Sequence, residues 1–266
     1  MTSAPLEEAL PKARTAALKA LELDESLAEA HAALAMVKED YDWDWTGAEV
    51  EYKRAIQLNP GSSATRAFYS NLLLEMGRLP EALSEAKNAE QFDLLSALAN
   101  DNLSAVFYFS GEYDQSIDQC RKTLEFDPMN PQAHRHLGMA EAQKHDDVDA
   151  IRDLKKAIEL STESNEAVAE LGYVFAVSGH EDEARSILQQ LMRPAKPHVS
   201  QYHLAIIYAG LRERGKALDC LERAVKDRSP GVVHLKVSPL FLELRSDPRF
   251  SNCSDHSDGF SFSTGW

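Results

Sequence analysis

Apolar residues recur along this chain at helical spacing, in two alternating kinds of stripe. The first carries Leu followed by a small residue, then an aromatic or apolar residue one turn on. Examples are Leu137-Gly138, Leu171-Gly172 with Phe175, and Leu204-Ala205 with Tyr208. The second opens on a small residue (Ala48, Ala82, Ser116, Ala150, Ala184, Ala217) and meets another small or apolar residue seven positions later (Ala55, Ala89, Thr123, Ala157, Leu191, Ala224). Seven residues is close to two turns, so both members fall on one helical stripe. Gly77, Gly111 and Gly179 lie between the stripes and suit a left-handed helix cap, and Pro60 and Pro128 stop the second helix. The pattern predicts an all-α chain of antiparallel helix pairs, A then B, in which the small residues let B approach A closely.

The pairs repeat. Lys53-Arg-Ala-Ile-Gln-Leu-Asn-Pro60, Arg121-Lys-Thr-Leu-Glu-Phe-Asp-Pro128 and Lys155-Lys-Ala-Ile-Glu-Leu-Ser161 are copies of one segment, and Lys19-Ala-Leu-Glu-Leu-Asp24 is a fourth. Their spacing is one or two periods of 34 residues. In period and in the positions above, the chain resembles the tetratricopeptide-repeat (TPR) family. The resemblance implies a right-handed superhelical solenoid with six units at 28–62, 63–96, 97–130, 131–164, 165–197 and 198–230. Residues 1–26 then read as a half repeat, helix B alone, which suggests a fragment of a longer protein or a docking edge. Residues 231–250 read as a C-terminal cap, and the Ser-rich, aperiodic stretch 251–266 as a disordered tail. Tyr41-Asp-Trp-Asp-Trp-Thr-Gly-Ala-Glu49, Ala205-Ile-Ile-Tyr-Ala-Gly210, Leu235-Lys-Val-Ser-Pro-Leu-Phe241 and Leu244-Arg-Ser-Asp-Pro-Arg-Phe250 resemble a bacterial subgroup. In that subgroup such arrays form the C-terminal part of serine/threonine kinases, adenylate cyclases and winged-helix regulators.

Charge narrows the partner classes. Asp and Glu number 43 against 28 Lys and Arg, a formal charge of −15. No Lys/Arg run exceeds two residues, which argues against nucleic acid and anionic membrane surfaces. No stretch approaches the roughly 18 apolar residues of a membrane span. Met1 to Lys12 shows no signal-peptide pattern, and three scattered cysteines form no CxxC pair, so a reduced, cytoplasmic setting is expected. Cys120 sits at a core position of helix B; Cys253 falls in the tail and is expected to be exposed and oxidisable.

Little in the chain suggests catalysis, and we expect no enzyme, cofactor or metal. Asp42-Trp-Asp44-Trp-Thr46-Gly47 begins like a calcium loop, but its twelfth position is Lys53 where a bidentate Glu is needed. It reads instead as an enlarged A–B turn. His134 and His136 are two apart and point to different sides of a helix. The acidic run after His145 places charge at a helix N-terminus, where the macrodipole favours it.

The resemblance to TPR arrays implies that helix A lines a concave groove for a protein or peptide ligand. Its ligand-facing positions correspond here to Asn71, Leu74, Glu75, Asp101, Asn102, Tyr108, Phe109, Arg135, His136, Met139, Glu170, Tyr173, Tyr202, His203 and Ile206. Arrays that clamp the carboxylate of chaperone tails use two Asn and three cations. Asn71 and Asn102 match, but Ala67, Gln132 and His136 hold the cation positions, which argues against that ligand. The expected function is a scaffold binding a partner segment in the groove; the alternative is a detached regulatory region of a signalling kinase, cyclase or regulator.

Overall fold

The computed structural model describes residues 6–161, 164–193 and 199–256. Among the described residues every regular element is helical. The helices group into two compact units, one running to Asn102 and one from Leu103 onward.

The first unit holds α1 (Leu6–Leu23), α2 (Ala28–Val37), α3 (Trp45–Leu58), α4 (Ser63–Glu75), α5 (Leu79–Phe92) and the start of α6 (Ala97–Phe109). The B-helix stripe is built from small residues: Ala48, Ala55, Ala82, Ala86 and Ala89 are fully buried, and Trp45, Tyr52 and Leu72 are the larger side chains of the core. Between α2 and α3 the chain makes a π-helical turn, Lys38–Asp42, and then enters the left-handed region at Trp43 (φ 58°). Asp44 caps α3 by accepting from the Gly47 amide at 2.9 Å, and Trp43 and Trp45 stack with ring centres 6.4 Å apart. The Asp-Trp-Asp-Trp stretch is thus an enlarged turn.

The second unit continues with α7 (Tyr113–Phe126), α8 (Pro131–Gln143), α9 (Asp147–Leu160), α10 (Asn165–Val177), α11 (Glu181–Leu191), α12 (Gln201–Gly210) and α13 (Arg214–Lys226). Two 3-10 turns, Pro230–His234 and Pro239–Leu244, and α14 (Pro248–His256) follow. A Cβ on Gly138 would stand 2.9 Å from the Ala150 carbonyl oxygen, so only glycine admits α9 at this separation from α8.

Two devices recur at the repeat period. The A–B turn passes through positive φ at Gly77, Gly111, His145, Gly179 and Arg212. Three of these are the glycines the sequence marks; His145 and Arg212 hold the same conformation with a Cβ, which is strained. The start of each of three A helices is also clasped. His31 pairs with Glu51 and the Glu25 carbonyl, Arg66 with Glu85 and the Pro60 carbonyl, and His134 with Asp153 and the Pro128 carbonyl. In each, a cationic or imidazole side chain joins the preceding loop to the following B helix.

The C-terminal region departs from expectation. Ser251 to His256 are helical, where the sequence suggests a disordered tail; residues 257–266 lie outside the described residues. Cys253 is buried, not exposed, and burial pushes its thiol up to about 11. The cause is a period the tail conceals: Phe250 and Cys253 are three apart and both turn inward on α14. Arg249, beside them, holds the helix to α13 through Asp219 at 2.6 Å and Glu222 at 2.7 Å.

Candidate functional site: the A-helix faces

The predicted ligand-facing residues fall on α4, α6, α8, α10 and α12, the A helices. In the first unit Asn71, Asp101 and Asn102 are part-exposed, whereas Leu74 and Glu75 are buried. Asn71 Nδ2 donates to Glu75 Oε1 at 2.8 Å, and Tyr52 donates its hydroxyl proton to Glu39 Oε2 at 2.7 Å. Burial pushes the Glu39 carboxyl up to about 8. Glu75 is raised well above the usual carboxylate range, first by burial and then by the negative charges of Glu39 and Asp40. Glu39 belongs to the π-helical turn, so it joins the row only because the turn there is enlarged. Repeat alignment alone does not reveal it.

In the second unit, Arg135 is the centre of the row. Its Nη1 donates to Glu170 Oε1 at 2.7 Å and lies 3.1 Å from Glu166 Oε1. Its Nη2 is 2.9 Å from His136 Nε2, and His136 Nδ1 is 2.8 Å from the Ser104 hydroxyl. A guanidinium can only donate, so His136 Nε2 accepts and the proton sits on Nδ1, directed at Ser104. Burial, and then the charge of Arg135, holds His136 well below the ordinary imidazole range. Neutral and engaged, it cannot serve as the third cation of a carboxylate clamp. Burial raises Glu170 to about 8, Arg135 acting in the opposite sense.

This row is not an open groove. Tyr108, His136, Met139, Tyr202 and Ile206 are buried, and Arg135, Tyr173 and His203 only part-exposed. The segment Pro230–Leu244 lies against it. His234 stacks on Phe109 with ring centres 5.0 Å apart and planes 5° from parallel. Phe241 meets Tyr202 edge-on at 5.7 Å, and the Ser238 side chain hydrogen-bonds Tyr202. Gly231 passes so close that a Cβ there would stand 2.2 Å from the Tyr202 ring. Leu240 and Glu243 close a crevice against Tyr173 and Gly210. The expectation of a solvent-facing groove at Tyr108, His136, Met139 and Tyr202 is therefore corrected: the chain's own 3-10 turns overlie the row they belong to. Repeat reasoning misses His234 and Phe241 because they follow the last repeat; the aromatic and apolar residues of 232–244 were the available signal.

The fit leaves polar groups unmatched. The Tyr108 hydroxyl, Glu170 Oε2 and His203 Nδ1 are buried without a protein hydrogen-bond partner. Among the described residues no group of three His, Cys, Asp or Glu could hold a metal ion, and no helix is long and apolar enough to cross a membrane.

No family model matches the chain. It is 25% identical over 225 residues to tetratricopeptide repeat protein 37 of Xenopus laevis, covering 81% of this chain and 14% of that protein. Over 110 residues it is 29% identical to small glutamine-rich tetratricopeptide repeat-containing protein 2 of Mycosarcoma maydis, covering 41% and 30%. The chain thus spans less than a third of either relative. Among solved structures it is similar to human IFIT1 in a dimer with m7Gppp-AAAA (TM-score 0.66, 16% identity, 93% of this chain and 66% of that one). It is also similar to a chain of the APC/C hetero-tetramer Cut9-Hcn1 (TM-score 0.65, 16% identity, 93% and 46%). The fold is that of a TPR helical solenoid, and the names of the sequence relatives support reading the chain as a TPR repeat protein.

Proposed function

We propose that this chain is a protein-interaction scaffold that holds a segment of a partner protein against the A-helix faces of its repeats. The observation that carries this reading is the row Asn71, Asp101 and Asn102, polar side chains that stay part-exposed along α4 and α6 beside buried carboxylates. Packed helices present such a row ready-made, which limits the ordering cost of binding. The formal charge of −15 and the acidic character of the first unit's row favour a neutral or basic segment. They disfavour nucleic acid; the capped RNA bound by IFIT1 belongs to that protein, whose likeness to this one extends to fold. A cytoplasmic setting fits the three free thiols. The signalling-protein alternative rests on the sequence motifs at 41–49, 205–210 and 235–250.

A photo-crosslinking residue tests the reading. Placed at Asn102 on the A row it should capture a discrete partner segment, and placed at Glu125, exposed on a B helix, it should not. Equal capture at both positions, or capture at Glu125 alone, would refute the assignment.

A further inference from the structure

We propose that the turn at residues 92–98, between α5 and α6 of the first unit, is a docking surface for an amphipathic helix of a partner protein, one whose apolar stripe is flanked by Lys or Arg. This surface is separate from the A-helix row and does not rest on it.

Three observations converge. First, large apolar side chains crowd this turn and stay outside the core. Phe92, Leu94, Leu95 and Leu98 are 53%, 56%, 70% and 41% exposed. Apolar side chains gathered this way mark an interaction surface, whereas scattered ones are ordinary. Second, the repeat does not require them. Asp93-Leu-Leu-Ser96 stands one period after Asn59-Pro-Gly-Ser62 and one before Asp127-Pro-Met-Asn130, and Leu98 stands where those repeats hold Ala64 and Gln132. The sister turns stop helix B with proline; this one holds an exposed leucine in its place. Third, the turn is fixed. The buried Asn100 amide donates to the Leu94 and Ser96 carbonyls at 3.0 and 2.8 Å, and the Asp93 carboxylate accepts from the Leu95 amide at 3.2 Å. Leucines carried on a pinned backbone are presented without the ordering cost that a loose loop would add to binding.

Charge selects the occupant. No Lys or Arg occurs between Lys87 and Arg121, whereas Glu90 and Asp93 border the leucines. Arg66, whose guanidinium lies 5.4 Å over the Phe92 ring, is paired with Glu85 at 2.5 Å. Residues 6–102 hold twice as many Asp and Glu as Lys and Arg. A second copy of this face would set Glu90 and Asp93 against their counterparts, and an anionic membrane would meet the same repulsion. Cations beside an apolar stripe complement both features of the turn. The described residues offer no strand edge, so an extended segment would gain no backbone pairing there; a helix brings its apolar residues to one stripe by itself.

Fluorescence anisotropy on the full chain is the test, with two labelled synthetic peptides. One is a helix of Leu, Ala and Lys with its leucines on one stripe; the other has Glu in place of Lys. The Lys peptide should bind the unaltered chain. Its binding to Leu94→Ser/Leu95→Ser should be about tenfold weaker, with helicity checked by circular dichroism. The Glu peptide should bind the unaltered chain about tenfold more weakly than the Lys peptide does. If the double variant loses helicity, Leu98→Ser alone gives the same reading. No binding of the Lys peptide, equal binding by the altered chain, or equal binding of the two peptides would overturn the proposal. Sedimentation of the chain, and its flotation with phosphatidylserine vesicles, report the rival occupants. Self-association or vesicle binding that the double variant abolishes would assign the turn to a second copy or to a membrane, and would equally overturn it. The readout depends on Leu94 and Leu95 and not on Asn102, so failure of the A-helix row and failure of this surface are told apart.

Discussion

Glu75 in the first unit and Glu170 in the second are buried glutamates on A helices, yet their surroundings differ. Glu75 interacts with two further acids, Glu39 and Asp40, and accepts from the Asn71 amide. Glu170 is bonded to Arg135 at 2.7 Å. Burial still raises both carboxyls, so desolvation outweighs even a direct guanidinium contact. The comparison shows how one repeat scaffold supports two kinds of surface. One row gathers buried acids beside part-exposed amides; in the other a buried carboxyl meets a guanidinium, and Pro230–Leu244 lies over it.

The most damaging change should be removal of the internal balance. Arg135→Met leaves Glu170 without its cation and should cost about 3 kcal/mol in urea unfolding. Adding Glu170→Gln should restore most of that loss, because the buried carboxyl left without its donor goes too. If the double variant is as unstable as the single one, the ion pair is not what Arg135 contributes. Next in size is Gly138→Ala, which sets a Cβ against the Ala150 carbonyl and should cost about 2 kcal/mol by the same measurement.

The first unit makes a prediction of opposite sign. Glu39 titrates near 8 when folded and near 4.5 in its ordinary state, so the folded protein favours the neutral form. Stability should therefore fall as pH rises from about 4.5 to 8. Glu39→Gln keeps an acceptor for Tyr52 without the charge. It should be more stable than the parent by about 1–2 kcal/mol above pH 8, with the difference vanishing near pH 4. His234, in the segment Pro230–Leu244, behaves in the reverse sense. Burial first, with Arg135 adding to it and Glu166 opposing, depresses His234 to about 4. The stability its neutral form contributes should be lost as pH falls from 6.5 through 4, and His234→Phe should flatten that limb. The smallest effect concerns the repeated turn: His145→Gly relieves a left-handed residue and should stabilise by about 0.5 kcal/mol, since added flexibility of the unfolded chain offsets part of the gain.

Much of this architecture was legible in the sequence. The small-residue stripes, the turn glycines and the 34-residue period fix the helix pairs, because each encodes a local geometric requirement. Position alone also places the A-row residues on A helices; that a partner meets them there is the proposal. What periodicity could not supply was what covers them. His234 and Phe241 lie beyond the last repeat, and their contacts with Phe109 and Tyr202 join positions 125 and 39 residues apart. Glu39 is hidden from the period for a related reason: a π-helical turn shifts its register. The helix through Cys253 was obscured by serines that happen to lie on its outer side.

The most direct measurement is the proton spectrum of the His234 ring. Stacked on Phe109 at 5.0 Å, its ring protons should be shifted upfield and show nuclear Overhauser contacts to the Phe109 ring, both lost in Phe109→Leu. Random-coil His234 shifts without those contacts in the unaltered chain would contradict an overlaid second unit, and would return its A-helix row to the status of an open groove.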